Sequence, residues 1–423
     1  MEQHKKITAE IKRNIMSDNK FAEELSENEL KELISSYLLE KEKTYRLSLS
    51  QRKQMGKEIF DALRKFDVLQ DLMDDDEITE IMVNGPEHIF VEKKGKIERV
   101  KQQFESTEKL MQLINQMVSA CNRSVNETSP IVDARIAESG ARINVVLYPI
   151  ALNGPILTIR RFPKEPITME KLIMLEAISK EAAFFLKRAV QAKYNIIISG
   201  GTGSGKTTFL NALSQYIPSD ERIITIEDSA ELQILGIENL IRMETRSVAI
   251  EGGKTITIRD LIKTSLRMRP NRIIVGEVRG EEALDMIGSA MNCGHDGSMS
   301  SAHANSAKDM LTRLENMILM SAEIPISAIR RQIASGVDLI IHLGRMRDKS
   351  RKVLEIVEVV DVIEDQITLN PLYVFKETEE SKKELLKGRL EKVGELIHTF
   401  KMETAGVEME AEKIQCATTK NRL

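Results

Sequence analysis

Gly200-Gly201-Thr202-Gly203-Ser204-Gly205-Lys206-Thr207-Thr208 follows the apolar run Ile196-Ile197-Ile198 and precedes the helix-like Phe209-Leu210-Asn211-Ala212-Leu213. The stretch fits G-x-x-x-x-G-K-[ST], and a place between strand and helix is where that pattern makes a phosphate-binding loop. Gly200, Gly203 and Gly205 let the main chain turn where a Cβ would clash, so successive N–H groups can point at phosphate oxygens. A helix opening at Lys206 adds the positive end of its dipole. Lys206 is then the point charge for the β- and γ-phosphates. Thr207 is the hydroxyl for a bridging Mg2+, with Thr208 a secondary contact. The expected ligand is a nucleoside triphosphate with its magnesium ion.

Composition bounds the rest. At 423 residues the chain is long enough for two or three domains, each with its own core. A net charge of −4 with 30% charged residues lacks the basic bias of nucleic-acid binders. With no tryptophan and 4% aromatics, the chain is poorly equipped for the aromatic-studded channel of a strand-tracking motor. No nucleic-acid partner is expected. Cys121, Cys293 and Cys416 form no C-x-x-C pair and leave one cysteine over, which fits a reducing cytosol. The first residues carry no apolar signal region, and no stretch approaches the roughly 18 apolar residues of a membrane span. The expected location is cytoplasmic, with any membrane association peripheral.

The chain divides by pattern. Residues 1–75 read as a helical module: Ser26 and Glu29 suggest a capping box before Leu30, Leu33, Ile34, Tyr37 and Leu38, and Ile59, Phe60, Leu63 and Phe66 form a second amphipathic run. The acidic Asp74-Asp75-Asp76-Glu77 reads as a solvated linker or helix cap. Residues 76–160 mix short strands, an Asn84-Gly85 turn and a helix with Leu110, Leu113, Ile114 and Met117, which predicts a small α+β domain. Pro163 and Pro166 stiffen a linker over 161–170. Over 171–376, apolar runs at 195–199, 222–226, 272–275, 298–302 and 337–343 alternate with helical stretches, which predicts an α/β domain with an open, mainly parallel sheet. Residues 377–423 read as a charged helical tail, with Leu386, Leu390, Val393 and Ile397 on one stripe.

Carboxylates at other strand ends decide what such a site does. The strand Arg222–Ile226 runs into Glu227-Asp228, and Arg272–Val275 runs into Gly276-Glu277. Ligands on open α/β sheets bind at the carboxyl ends of the strands. Hydrolysis needs a carboxylate for the attacking water and polar groups for the magnesium shell. Glu227 and Glu277 are the candidates. The run Glu227-Asp228-Ser229-Ala230-Glu231 is also the pattern of a helix cap. A zinc reading of Cys293, His295 and His303 offers only three ligands without metal-site spacing.

Glu227-Asp228-Ser229-Ala230-Glu231 resembles the aspartate box of the type II/IV secretion traffic ATPases. Leu266 to Gly280, reading LRMRPNRIIVGEVRG, is similar to their Walker B segment, and Gly294 to Ser306 to their histidine box. Glu80-Ile81-Met82-Val83-Asn84-Gly85 and Ser129 to Arg135 are similar to the branch that assembles tight-adherence (Tad, Flp) pili, the CpaF-type ATPases. The resemblance covers about residues 70–375 and implies a RecA-like ATPase domain preceded by a PAS-like lid. It implies that Lys206 and Thr207 hold ATP and Mg2+, that Glu227 is the general base, that Glu277 supports metal and water, and that His303 senses the γ-phosphate.

The resemblance further implies a homohexamer on an inner-membrane pilus or secretion platform, with arginines reaching the phosphates in cis or from a neighbouring subunit. Arg160 and Arg161 lead that set, with Arg135 and Arg142 from the same domain and Arg246, Arg267 and Arg279 from the ATPase domain. Ala137 to Arg142 departs from the Asp-Gly-Ser-Arg turn expected there, and no motif of the resemblance is placed after about residue 377, which leaves the role of that tail open. Two other readings stand beside it: a type IV secretion ATPase, sharing the motor, that moves protein or DNA, and, from a different class, a scaffold that binds nucleotide without hydrolysing it.

Overall fold

In the computed structural model, residues 7–407 are described apart from 9, 12–13, 16–26, 46, 65, 94, 138, 163–165, 247–254 and 383–385. Ser26, Pro163 and Cys416 therefore lie outside the described residues. The chain separates into two compact units, Met1–Pro163 and Lys164–Leu423.

In the first unit, helical residues 7–8, 10–11 and 14–15 precede helices α1 (Glu27–Tyr45) and α2 (Leu49–Arg64), and Ile7, Ile11 and Ile15 close a small core with Leu30, Ile34, Leu38, Met55, Ile59 and Phe60. A short helix α3 (Gln70–Asp74) leads into strands β1 (Ile78–Asn84), β2 (Ile89–Lys93) and β3 (Lys96–Arg99). Helix α4 (Thr107–Ala120) and strands β4 (Ile131–Arg135), β5 (Arg142–Val146) and β6 (Ile156–Arg160) follow. The strands form an antiparallel sheet in the order β3-β2-β1-β6-β5-β4, and α4 buries Leu110, Leu113, Ile114 and Met117 against it. The boundary read at residue 75 needs correction: Leu69, Leu72 and Met73 belong to this sheet's core and not to the helical module. The acidic run makes a turn, in which Asp75 accepts the Glu77 N–H at 2.9 Å and pairs with Lys93.

The second unit contains α5 (Met169–Met174), α6 (Lys180–Gln191), β7 (Ile196–Gly200), α7 (Lys206–Ser214), β8 (Ile223–Glu227), β9 (Leu240–Glu244), α8 (Ile258–Ser265) and β10 (Arg272–Val275). After them come α9 (Glu282–Asp285), β11 (Met299–Ala302), α10 (Ala307–Ser321), α11 (Ile326–Gly336) and β12 (Leu339–Arg345). Three long or terminal strands, β13 (Arg351–Ile363), β14 (Gln366–Glu377) and β15 (Gly388–Lys392), precede α12 (Phe400–Thr404). Their sheet has the order β15-β14-β13-β12-β7-β11-β10-β8-β9, parallel from β12 to β9 and antiparallel from β12 to β15. Consecutive residues of the parallel strands feed opposite cores. Ile196 and Ile198 pack on one face and Ile197 on the other, as do Ile274 against Ile273 and Val275. A strand buried on both faces has no polar alternation, which is why these strands read as continuous apolar runs.

The helical tail is the clearest correction. Residues 388–392 form β15, with Leu390 opposite Phe375 of β14. Leu386 and Leu390 are buried, whereas Val393 and Ile397 are 45% and 58% exposed, so the four do not share one helical face. Gly388 makes the pairing possible, because a Cβ there would lie 2.3 Å from Cζ of Phe375.

The bases of the central strands are joined by one side chain. Asn195, 1% exposed, accepts the N–H groups of Gly297 (2.9 Å) and Ser298 (3.1 Å) before β11. Its amide nitrogen donates to the carbonyls of Met291 (3.0 Å) and Gly336 (2.8 Å). Replacing it with leucine would leave four main-chain groups without these partners, at about 1–3 kcal/mol for each buried group left unsatisfied. Asn195→Leu is expected to lose about 3 kcal/mol or more in urea unfolding; a loss under about 1 kcal/mol would show that the network is dispensable.

Candidate functional site

The phosphate loop runs from the end of β7 into α7. Gly200 passes so close to β12 that a Cβ would sit 2.5 Å from the Leu343 carbonyl, and Gly205 precedes the helix at φ +95°, where a side chain is strained. Lys206 is buried and folds back over the loop, donating to the carbonyls of Gly200 (3.1 Å) and Gly201 (3.3 Å). Ser204 is buried within the loop. Thr207 and Thr208 lie half-buried in the first turn of α7. Gly201, Thr202 and Gly203 are exposed at the tip.

Adjacent strand ends bring further groups to this loop. His303 follows β11, and both its ring nitrogens lie 3.4 Å from Nζ of Lys206. Its Nε2 stands 2.8 Å from Oε1 of Glu277, whose Oε2 accepts from Arg279 at 2.6 Å. Arg279 in turn lies 3.7 Å from Asp228. Burial, and then the charge of Lys206, push the His303 pKa below its ordinary value, which favours the neutral ring. Of the sequence candidates, His303 thus lies beside Lys206, Glu277 follows through His303, and Arg279 is one step further out.

Glu227 occupies a different environment. It is 3% exposed and close against Gly276, where a Cβ would lie 3.0 Å from the glutamate Cγ. Oε2 accepts the N–H groups of Glu231 (2.7 Å) and Leu232 (2.8 Å), while Oε1 is buried with no hydrogen-bond partner among the described residues. Glu227, rather than Asp228, therefore ties down the following segment, which is a loop and not the helix a capping role anticipates. Burial pushes its pKa up to about 7, against the two N–H donors that pull it down. A carboxyl group that titrates near neutrality is suited to exchanging a proton with water.

The arginines separate into kinds. Arg135, Arg142 and Arg160 align in register across β4, β5 and β6, and Glu80 of β1 continues the row. Arg142 pairs with Asp133 at 3.3 Å and Arg135 donates to the Gly140 carbonyl at 3.2 Å, which is how the departing Ala137–Arg142 turn is held. Arg161 points into its own domain: Nη1 donates to the carbonyls of Leu72, Asp75 and Ile78. The expectation that Arg161 serves the phosphates is corrected to an anchor for the α3–β1 turn. Arg246 forms a main-chain bridge with Ile256, and Arg267 is exposed after α8.

Sequence reasoning missed Arg345 and Arg351. Arg351 donates from Nε to the Gly203 carbonyl at 2.9 Å, and a Cβ on Gly203 would lie 3.5 Å from Nη1 of Arg345. No local motif marks a residue that reaches the loop from 148 positions away.

A phosphate loop at the carboxyl end of a parallel sheet, with a histidine and acidic groups on the neighbouring strand ends, defines a RecA-like phosphate-loop nucleotide-binding fold. The chain belongs to the type II/IV secretion system protein family, whose model matches residues 63–422. It is 34% identical over 304 residues to the type IV secretion system protein VirB11 of Brucella suis biovar 1, covering 65% of this chain and 83% of that protein. It is 33% identical over 291 residues to the conjugal transfer protein TrbB of Rhizobium radiobacter, covering 68% and 85%. The fold is also that of the pilus retraction motor PilT, crystallised with bound ADP, at 18% identity and a TM-score of 0.50 over 80% of this chain and 86% of that one. The family is one of ATPases. No helix among the described residues is long and apolar enough to cross a membrane.

The raised pKa of Glu227 carries a sign for stability. The native state keeps its proton up to about pH 7, while the unfolded chain loses it near the ordinary 4.5, so stability falls as pH rises through that window. Glu227→Gln, which keeps an acceptor for the two N–H groups, is expected to be more stable than wild type at pH 8 by about 2–3 kcal/mol, with no gain at pH 4. Denaturation curves at the two pH values check it, and an equal difference at both would refute the assignment.

Proposed function

We propose that this chain is a Mg2+-dependent ATPase working as a homohexamer at the cytoplasmic face of the inner membrane, where ATP hydrolysis powers assembly of a Tad/Flp-type pilus. The observation that carries the hydrolytic reading is the grouping of Lys206, His303 and Glu277 at the loop, with a separate buried carboxyl group, Glu227, poised near neutral pH. The pilus branch rests on the sequence segments Glu80–Gly85 and Ser129–Arg135. A second reading, a type IV secretion ATPase driving protein or DNA transfer, is favoured by the likeness to VirB11 and TrbB. Loss of surface pili in a deletion strain supports the first, and loss of conjugation or effector transfer with pili intact supports the second.

In the proposed cycle Lys206 releases the Gly200 and Gly201 carbonyls and moves to the β- and γ-phosphates, whose oxygens take the loop N–H groups. The half-buried Thr207 hydroxyl and the Glu277 carboxylate are hard oxygen donors of the type magnesium prefers, Glu277 acting through water. The ion would neutralise charge developing between the β- and γ-phosphates. Glu227 takes the proton of the attacking water, whose oxygen bonds to the γ-phosphorus as the bond to the bridging oxygen breaks. ADP and phosphate are the products. His303, held neutral between Lys206 and Glu277, donates or accepts at the γ-phosphate. Arg279, with the row Arg135, Arg142 and Arg160, is the proposed source of positive charge completed on ring assembly; such arginines contribute about 10³–10⁵ in rate elsewhere.

Phosphate release is expected from wild type, with losses of about 100-fold or more in Lys206→Ala and Glu227→Gln. Equal release from all three would refute these roles. Turnover per protomer should also rise with protein concentration as rings form, and a monomer at full rate after dilution would remove the ring from the mechanism.

A further inference from the structure

The outer wall of the phosphate loop is held by a hairpin that neither the motifs nor the proposed chemistry uses. Arg345 ends β12 and Arg351 begins β13, and the two are cross-strand partners. Between them, Asp348 Oδ1 accepts from the Ser350 N–H (2.9 Å) and hydroxyl (2.6 Å), which fixes the turn. Arg351 is clamped on both sides. Beyond it, the Lys352 ammonium donates to the Glu176 carbonyl (2.7 Å) and the Val353 N–H to Ala177 (2.8 Å). Before it, the turn is tied to the C-terminal strands: Leu386 N–H donates to Asp348 Oδ2 at 3.0 Å, and Arg347 pairs with Glu377.

From this braced position the Arg351 stem lies along the loop. A Cβ on Gly205 would be 3.3 Å from its Cδ, and its Nε donates to the Gly203 carbonyl. Turning a carbonyl outward fixes the peptide plane that carries the next N–H, so a donor on Gly203 O fixes which way the Ser204 amide points, here inward across the loop to the Gly201 carbonyl at 3.3 Å. Gly201, Gly203 and Gly205 leave the loop backbone with few intrinsic restraints, and an external one removes alternatives before a ligand arrives.

We propose that Arg351 is a positioning residue of the phosphate loop: through the Gly203 carbonyl it holds the Gly203–Ser204 peptide turned inward, so that the loop is ordered before phosphate arrives, and Glu377 of β14 with Leu386, just before β15, braces the hairpin that carries it. The proposal rests on the phosphate-loop reading. It assigns the C-terminal strands a part in nucleotide affinity, not in the chemical step.

Titration of a fluorescent ATP analogue into the full-length protein tests it, alongside steady-state ATPase measurements. Arg351→Ala is expected to weaken binding about tenfold and to raise KM by a similar factor, with kcat changed less than KM. Arg351→Gln places an amide nitrogen where Nε now stands, without the charge, and is expected to recover affinity to within about threefold of wild type. Asp348→Ala, which loosens the brace, should shift affinity in the same direction as Arg351→Ala. Arg351→Met keeps the stem against Gly205 and takes the place of alanine if that variant fails to fold. Wild-type affinity in a folded Arg351→Ala or Arg351→Met protein would overturn the proposal. Rescue by Arg351→Lys but not by Arg351→Gln would overturn it in favour of a charge acting on the phosphates directly. Failure of wild type to bind the analogue, with the fold intact, would instead remove the phosphate-loop reading itself, and this proposal with it.

Discussion

The carboxamide of Asn195 sets the level at which three strands start. Two of its bonds go to the main chain entering β11 and one to the carbonyl of Gly336, just before β12; its own peptide carbonyl accepts from Asp338 and Leu339. All four hydrogen-bonding positions of the side chain are used, which leaves its orientation no alternative. Strand register propagates along a ladder, so fixing the strand starts fixes where the strands end. At those ends stand the phosphate loop after β7, His303 after β11, and Arg345 at the close of β12. The distances of about 3 Å that join Lys206, His303 and Glu277 depend on alignment made one strand length away.

The same sheet gives its two strand-end glutamates opposite electrostatic conditions. Glu277 has the Arg279 guanidinium against one oxygen and the neutral His303 ring against the other, so a cation stands beside it. Glu227 is taken out of water with only two N–H groups and a distant arginine to support an anion, and its protonated form gains accordingly. The local turn explains the division: Glu227 is drawn inward to satisfy the amides of Glu231 and Leu232, which no helix serves, and that structural duty is what desolvates it. A carboxyl group with one oxygen committed to the fold and the other unpartnered can hold a loop and still exchange a proton. The buried Arg272–Glu221 pair shows the contrasting solution. There an arginine with no exposed surface is met by both carboxylate oxygens and the Val190 carbonyl, and the charges tie the start of β10 to the end of α6 and the approach to β8.

Legibility in the sequence followed the locality of the interactions. The phosphate loop, the apolar parallel strands and α4 are each specified within about fifteen residues, so pattern suffices for them. That the sheet is parallel is equally visible, because strands covered on both faces are mostly apolar without a polar alternation, as in Ile196–Ile198 and Ile273–Val275. The strand β15 was misread because Leu386, Leu390, Val393 and Ile397 have helical spacing by number, while Gly388 and the edge of β14, which decide the pairing, act across the sheet. Arg161 and Arg160 are neighbours in sequence, yet strand alternation sends one into carbonyls of its own domain and the other to the face that carries Arg142 and Arg135. Adjacency to a linker held no information about either.

The segment that had no assigned part closes the base of the sheet as the hairpin braces its top. Buried Glu358 of β13 accepts the N–H groups of Ile397 (2.9 Å) and His398 (2.7 Å), and the Tyr194 hydroxyl donates to the His398 carbonyl at 2.6 Å. Lys401 of α12 then bridges Asp296, which precedes β11, and Asp338, which precedes β12. Asp338 also accepts the Asn195 N–H, so the C-terminal helix is joined to the network that aligns the strands. Burial raises the Asp338 pKa, and Lys401 opposes that shift by supplying the charge its carboxylate needs. The bridge therefore ties an ion pair at the base of the sheet to the levels of β7, β11 and β12. The C-terminal chain thus touches both ends of the strands that carry the site: through Leu386 and Glu377 it steadies the loop's outer wall, and through Lys401 it fixes the register beneath the loop.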